Sequence, residues 1–266
     1  MIDTAVFSWK GPTKEWTLFH IILWCWSVNS AAKHFKDVIL VSDKDGQKFL
    51  SEKLQLPFSE IIDLPSITDE LTHIYDLPKL HALNIVSKGG RAAIHIDHDA
   101  ILRRKLPNDI LASKFICEFK YNPRPLTRQI NSSLPIPRLS EITTGLAHGV
   151  FGGCDLDKII EFTEKSIDIA TDERNREFLK QCNGYEASVL FGEVSSGDVF
   201  GDTCSVLLPS GELCGEDYRK IGYIHLAGNL KKDKGVLAQA AFMAQLDFPN
   251  ECSMVSKLFD DYNWTR

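Results

Sequence analysis

Apolar and polar residues fall along this chain in blocks whose lengths suit strands and helices in turn. Thr4 to Trp9 (TAVFSW) is a short apolar run closed by Lys10-Gly11-Pro12, the pattern of a buried strand and its turn. Glu15 to Phe35 is apolar nearly all round, with Leu18, Ile21, Ile22, Cys25, Val28, Ala32 and Phe35 at helical spacing, so it predicts a helix buried on a sheet's flank. Asp37 to Asp43 (DVILVSD) is a continuous aliphatic run, as expected of a strand covered on both faces. Lys44 to Leu54 predicts a helix and Glu60 to Leu64 a strand. A further helix starts at Asp76-Leu77-Pro78-Lys79 and stops at Gly89-Gly90. Arg91 to Pro107 (RAAIHIDHDAILRRKLP) then carries an apolar strand into Asp97-His98-Asp99 and a second short step, Ala100 to Leu102.

Strand and helix alternate through this first part, which argues for an α/β fold with a mainly parallel sheet, right-handed crossovers and flanking helices. Beyond it, Phe115 to Tyr121 predicts another strand, and Asn122 to Ile142, with Pro123, Pro125, Pro135 and Pro137, a loop or lid. Gly145, Gly149, Gly152 and Gly153 lie among apolar residues between Thr144 and Gly153, which fits either a close backbone approach or a glycine-rich bend in a strand. Two helices follow, Asp155 to Ala170 and Asp172 to Gln181, then a short element at Tyr185 to Val194 (YEASVLFGEV). Ser205 to Pro209 and Ile221 to Leu226 read as strands, and Val236 to Phe259 as helical. No compositional break divides the chain, so a single domain over 1–266 is expected.

At 266 residues, 44% hydrophobic and 25% charged, the chain can bury a sizeable core. Its net charge of −6 gives no basic face for a nucleic-acid polymer. Seven scattered cysteines without a CxxC pair fit free thiols in a reducing cytoplasm. The longest apolar run, Trp16 to Val28, is too short to cross a bilayer, which takes about 20 residues. Asp3 and Glu15 precede it with little positive charge, unlike a secretory leader, so the expected location is cytoplasmic.

The candidate chemistry begins at Asp97 and Asp99. Carboxylates two residues apart at a strand end project to one side, where their oxygens suit a hard divalent cation shared with a ligand's phosphates. His98, between them, is expected to face the other way. In His225-Leu226-Ala227-Gly228-Asn229-Leu230-Lys231, an imidazole at a strand end could complete such a site, Gly228 would admit a phosphate and Lys231 would neutralise it. A haloacid-dehalogenase-type phosphatase also carries Asp-x-Asp after a strand, with Asp97 attacking phosphorus and Asp99 protonating the leaving group. Against it, the motif lies far from the N-terminus, Ile101 departs from the usual context, and Asp260-Asp261 is too close to the C-terminus to serve as its later acidic pair.

The two stretches together resemble the retaining nucleotide-sugar glycosyltransferases of the Rossmann-like GT-A fold, of the glycogenin and lipopolysaccharide galactosyltransferase type. The resemblance implies that Asp97, Asp99 and His225 bind Mn²⁺ or Mg²⁺ bridging the diphosphate of a nucleotide sugar, with a UDP-sugar favoured. It places Gly228 and Lys231 against that diphosphate, Lys79 near the donor, and Phe7, Ser8 and Trp9 beside the base and ribose. Residues 1–107 would form the donor half and 108–266 the acceptor half. The family's Asp-Gln-Asp run is replaced by Glu186-Ala187-Ser188, which leaves Glu186 as the candidate catalytic residue. Its Pro-Trp after the final Lys is replaced by Lys232-Asp233. The acceptor is not readable; residues 122–142, His148 and Val236 to Phe259 could shape its site. A GT-A-like binding module without turnover is the non-enzymatic alternative.

Overall fold

A computed structural model describes residues 1–11, 17–136, 139, 142–209, 221–226, 230 and 233–261. Within it, the aliphatic runs of the first hundred residues become four parallel strands. These are β1 (Thr4–Trp9), β2 (Asp37–Ser42), β3 (Glu60–Asp63) and β4 (Ala93–Ile96), lying side by side in the order β3-β2-β1-β4. The chain runs outward from β1 to β2 and β3, then returns to the other side of β1 as β4. That reversal makes the β1/β4 boundary a topological switch point, where a crevice opens beyond the strands' carboxyl ends.

β5 (Ala100–Leu102) leaves the main sheet. It pairs antiparallel with β11 (Tyr223–His225), with His225 opposite Ala100. The expected strand Phe115 to Tyr121 splits into β6 (Phe115–Cys117) and β7 (Lys120–Tyr121), and β7 pairs with β8 (Gly145–Leu146). β9 (Val150–Gly153) runs antiparallel between β4 and β6, and β10 (Cys204–Val206) completes the seven-stranded sheet beside β6.

Strand alternation sends side chains into two cores. Ala5, Phe7, Val38, Leu40, Ile94 and Ile96 meet α1 (Leu18–Ala32) and the C-terminal helices Lys234–Asp247 and Pro249–Asp261. Val6, Ile39, Val41, Ala93, Phe115 and Phe151 meet the opposite layer. That layer holds α3 (Asp76–Lys88), α6 (Leu156–Thr171) and a helical run from Gly184 to Phe200 that passes through a π-helical turn at Leu190–Val194. The run absorbs the short element expected at Tyr185 to Val194. The predicted helix after Lys44 is present as α2 (Lys44–Gln47) continuing in π-helical turns to Lys53. The helical stretch predicted from Val236 to Phe259 divides at Phe248-Pro249.

One expectation needs correction. Beyond the short α4 (Asn108–Leu111), residues 122–142, predicted as loop or lid, contain α5 (Pro125–Ser133). Proline interrupts a helix from its interior, but at the first turn its fixed φ and missing N–H cost nothing. Thr127, Ile130 and Asn131 then fall on one buried face. The segment after α5 is clamped by the buried Asn175 amide, which accepts from the Ile136 N–H at 2.9 Å and donates to the carbonyls of Ile136 and Ile169 at 3.1 and 2.9 Å.

Asn175→Ala is therefore expected to lower unfolding free energy by roughly 1–3 kcal/mol, since three part-buried backbone groups lose a partner together. Urea denaturation measures this, and a loss below about 0.5 kcal/mol, the size of an ordinary surface effect, would show that the clamp holds nothing.

Candidate metal and donor site

β4 ends in a turn rather than continuing through Asp97-His98-Asp99. The Asp97 N–H donates to the Gly149 carbonyl at 2.9 Å, and the Asp97 carbonyl accepts from Ala100 N–H at 2.9 Å. Ser27 on α1 fastens the turn from behind by donating to the Ala100 carbonyl at 2.6 Å. The two carboxylates thus reach a common side through a turn, where strand alternation was the expected cause. His98 does face away, stacked on Trp24 at 5.4 Å between ring centroids.

His225 arrives through the β5/β11 pair, and the next residue, Leu226, donates its N–H to the Asp99 carbonyl at 3.0 Å. As a result one ligand atom from each of Asp97, Asp99 and His225 lies within 4.8 Å of the others. The His225 Nδ1 stands 2.9 and 3.0 Å from the two oxygens of Glu118, which sits in the break between β6 and β7. A carboxylate only accepts, so Nδ1 carries the proton and Nε2, 3.7 Å from Asp99 Oδ1, faces the carboxylates. A ring nitrogen held by a carboxylate is the usual way of orienting an imidazole ligand for a cation. Gly149 makes room for the pair: a Cβ there would lie 2.5 Å from His225 Nδ1 and 2.7 Å from Glu118 Oε2. The close approach left open by the glycine spacing is thus to the protein's own side chains.

Lys79 on α3 joins this group. Its Nζ lies 2.9 Å from Asp97 Oδ2 and 3.1 Å from Asp76 Oδ1. Burial alone would raise the Asp76 pKa, but Lys79 and then His148 outweigh it and bring the carboxyl to about 2. Burial would likewise discharge Lys79, yet Asp76 and Asp97 raise its pKa. Asp97 is raised, by burial first and by the Asp99 charge, against the pull of Lys79. His225 resists burial because Glu118 and Asp99 favour its charged form, and its pKa rises. Burial lowers His95 and His148. Four carboxyl side chains, Asp76, Asp97, Asp99 and Glu118, thus gather around Lys79 and His225. The donor set of two carboxylates and one oriented imidazole suits Mn²⁺ or Mg²⁺.

Asp76, Lys79, Asp97, Glu118 and His225 line a cleft of about 750 Å³. Tyr121, Arg124, Tyr185, Ser188 and Glu193 line it as well. The π-helical turn delivers Glu193, whose carboxylate accepts from Tyr121 Oη and, at 3.3 Å, from the His148 N–H. Gly192 lets the turn pass, because a Cβ there would fall 1.9 Å from Asp76 Oδ2.

The chain belongs to a family of unknown function, DUF6734. The family pattern matches residues 15–196. None of the curated proteins matches the chain. The DUF6734 span takes in Lys79, Asp97, Asp99, Glu118 and Glu193 and stops short of His225.

The other expected site residues are placed as follows. Phe7 is wholly buried against Trp24 and Phe58. Ser8 Oγ is 2.8 Å from His95 Nε2, and Trp9 Nε1 donates to the Gly11 carbonyl at 3.0 Å. None of these three lines the cleft. Glu186 is buried, accepting from Thr127 Oγ1 and from Arg124 Nη1 at 3.2 Å, so it is turned toward α5 while Ser188 and Glu193 of the same helical run face the cleft. Gly228 and Lys231 lie outside the described residues. Glu118, Asp76 and Glu193 were not singled out from the sequence. A lone acid inside an apolar run, as in FICEFKY and SVLFGEV, was the available signal.

Burial, then the Asp76 charge, raises the Glu193 pKa from 4.5 to about 7. The native state therefore keeps a proton that the unfolded chain has released, and stability falls as pH rises through this window. Glu193→Gln is expected to be more stable than the wild type at about pH 8, by on the order of 1–3 kcal/mol, with the gap closing below about pH 5. Thermal unfolding across that range measures it, and a gap that widens toward acid would reverse the assignment.

Proposed function

We propose that this chain is a metal-dependent glycosyltransferase moving a sugar from a nucleotide-sugar donor, a UDP-sugar in the first instance, to an acceptor hydroxyl. The observation that carries this reading is the convergence of Asp97, Asp99 and His225 within 4.8 Å from two stretches far apart in sequence. It is the ligand set that the resemblance to the GT-A fold enzymes implied. The α/β architecture, with the parallel half of the sheet opening at the β1/β4 switch point, agrees with that fold.

Each residue then has a task. Asp97, Asp99 and His225 would hold Mn²⁺ or Mg²⁺, with Glu118 fixing the tautomer and direction of the imidazole. When bound, the divalent ion supplies positive charge to a diphosphate leaving group, the chemistry that breaking a sugar–phosphate bond requires. Lys79, held between Asp76 and Asp97, is a second positive charge fixed in the cleft wall. Glu193, Ser188 and Arg124 face the remaining space, where the transferred sugar and acceptor would lie. The resemblance makes retention the expected stereochemical course.

Mn²⁺-dependent release of UDP from a panel of UDP-sugars tests the proposal. Wild type is expected to release nucleotide only with metal, and Asp99→Ala to abolish the release. Glu118→Gln is expected to weaken Mn²⁺ binding by about 10–100-fold, read by calorimetric titration. Phosphate release from monoesters, without nucleotide release from any sugar donor, would replace this reading with the phosphatase.

A further inference from the structure

The mouth of the cleft carries two features that donor chemistry leaves unused. Tyr75, just before α3, and Tyr185, in the first turn of the Gly184–Phe200 run, are 63% and 51% exposed, and both line the cleft. Among the described residues these are the exposed tyrosines. Their backbones are packed together: the His73 carbonyl lies 2.3 Å from where a Cβ on Gly184 would stand, and the Asp76 N–H donates to Ser188 Oγ at 3.4 Å. Tyr185 is also steadied by the Arg124 guanidinium, 5.3 Å from its ring centroid. The rim is thus a pair of aromatic rings on anchored backbone, beside hydrogen-bonding groups.

Such a rim has a matching chemistry. A pyranose presents C–H bonds on one face, which the negative face of an aromatic ring attracts, and hydroxyls around its edge, which need donors and acceptors. Ser188, Arg124 and Glu193 supply those partners. The basic groups lining the cleft are already engaged, Lys79 by Asp76 and Asp97, Arg124 by Glu186 and His225 by Glu118, which favours a neutral acceptor over an anionic one. A lipid would need a continuous apolar wall, which Asp76, Asp97, Glu118 and Glu193 interrupt. We propose that Tyr75 and Tyr185 form a stacking platform for a neutral oligosaccharide, whose terminal hydroxyl is the acceptor of the reaction. Its role as acceptor rests on the transferase reading; the sugar site itself rests on the rim.

Saturation-transfer NMR with neutral trisaccharides built of glucose, galactose or mannose tests the site directly, and a separate titration of UDP with Mn²⁺ tests the donor reading. Transfer to pyranose ring protons is expected for at least one trisaccharide, with affinity falling at least fivefold in Tyr185→Ala and in Tyr75→Ala. Both side chains are exposed, so the variants are expected to fold. Absence of transfer to every trisaccharide, or unchanged affinity in both variants, overturns the proposal. Loss of UDP binding in the variants with trisaccharide binding intact overturns it as well and assigns the rings to a nucleobase. Trisaccharide binding that depends on the tyrosines, without any UDP binding, supports the sugar site while removing the transferase reading.

Discussion

Buried acids are the constraint around which this molecule is arranged. Asp76, Asp99, Glu118 and Glu186 are all nearly inaccessible to water, and Glu193 is half-buried. Burying an unpaired carboxylate is costly, so each has to be met by a hydrogen bond, a cation or a proton. The protein uses all three answers. Glu186 is absorbed by Thr127 and Arg124, Asp76 by Lys79, and Glu193 by a raised pKa and the Tyr121 hydroxyl. Asp97, Asp99 and His225 bring one ligand atom each within 4.8 Å of the others, which makes them the candidate place for a cation.

The fold supplies this arrangement with few elements. The β3-β2-β1-β4 order puts the carboxyl end of β4 at the switch point, and α3, the crossover leading into β4, lays Asp76 and Lys79 beside it. Asp76 lies in the first turn of α3, where unpaired N–H groups favour a negative charge. The short β5/β11 pairing carries His225 to Asp99 across more than a hundred residues of chain. Two glycines clear the paths: Gly149 for the His225–Glu118 pair and Gly192 for Asp76. An alanine at either position would press a methyl group against these side chains.

The metal-ligand candidates were legible in the sequence because they sit at strand ends, where an acid or imidazole after an apolar run breaks the pattern. The strands of the parallel half were legible for a related reason, since a strand buried on both faces is a continuous aliphatic block. Glu118 was harder, because reading Phe115 to Tyr121 as one strand hides an acid at its centre. The sequence does not reveal that the strand breaks there, as β7 exists only by pairing with β8. Glu186 and Glu193 show the limit of helical spacing. They are seven residues apart, which in a regular helix gives nearly one face, but the π-helical turn at Leu190–Val194 intervenes. Glu186 consequently faces α5 while Glu193 faces the cleft.

That turn links the two ends of the cleft. Glu193 accepts from the His148 N–H, the His148 ring stands 3.5 Å from Asp76, and Asp76 shares Lys79 with Asp97. A contiguous line of polar groups thus runs from the proposed acceptor side to the proposed metal ligands. Lys79 is its pivot, because a cation on Asp97 would compete with Lys79 for the same carboxylate while Asp76 keeps the ammonium in place. A lysine shared between two carboxylates is in this way kept charged and fixed before any ligand arrives, and only one of its two partners has to yield.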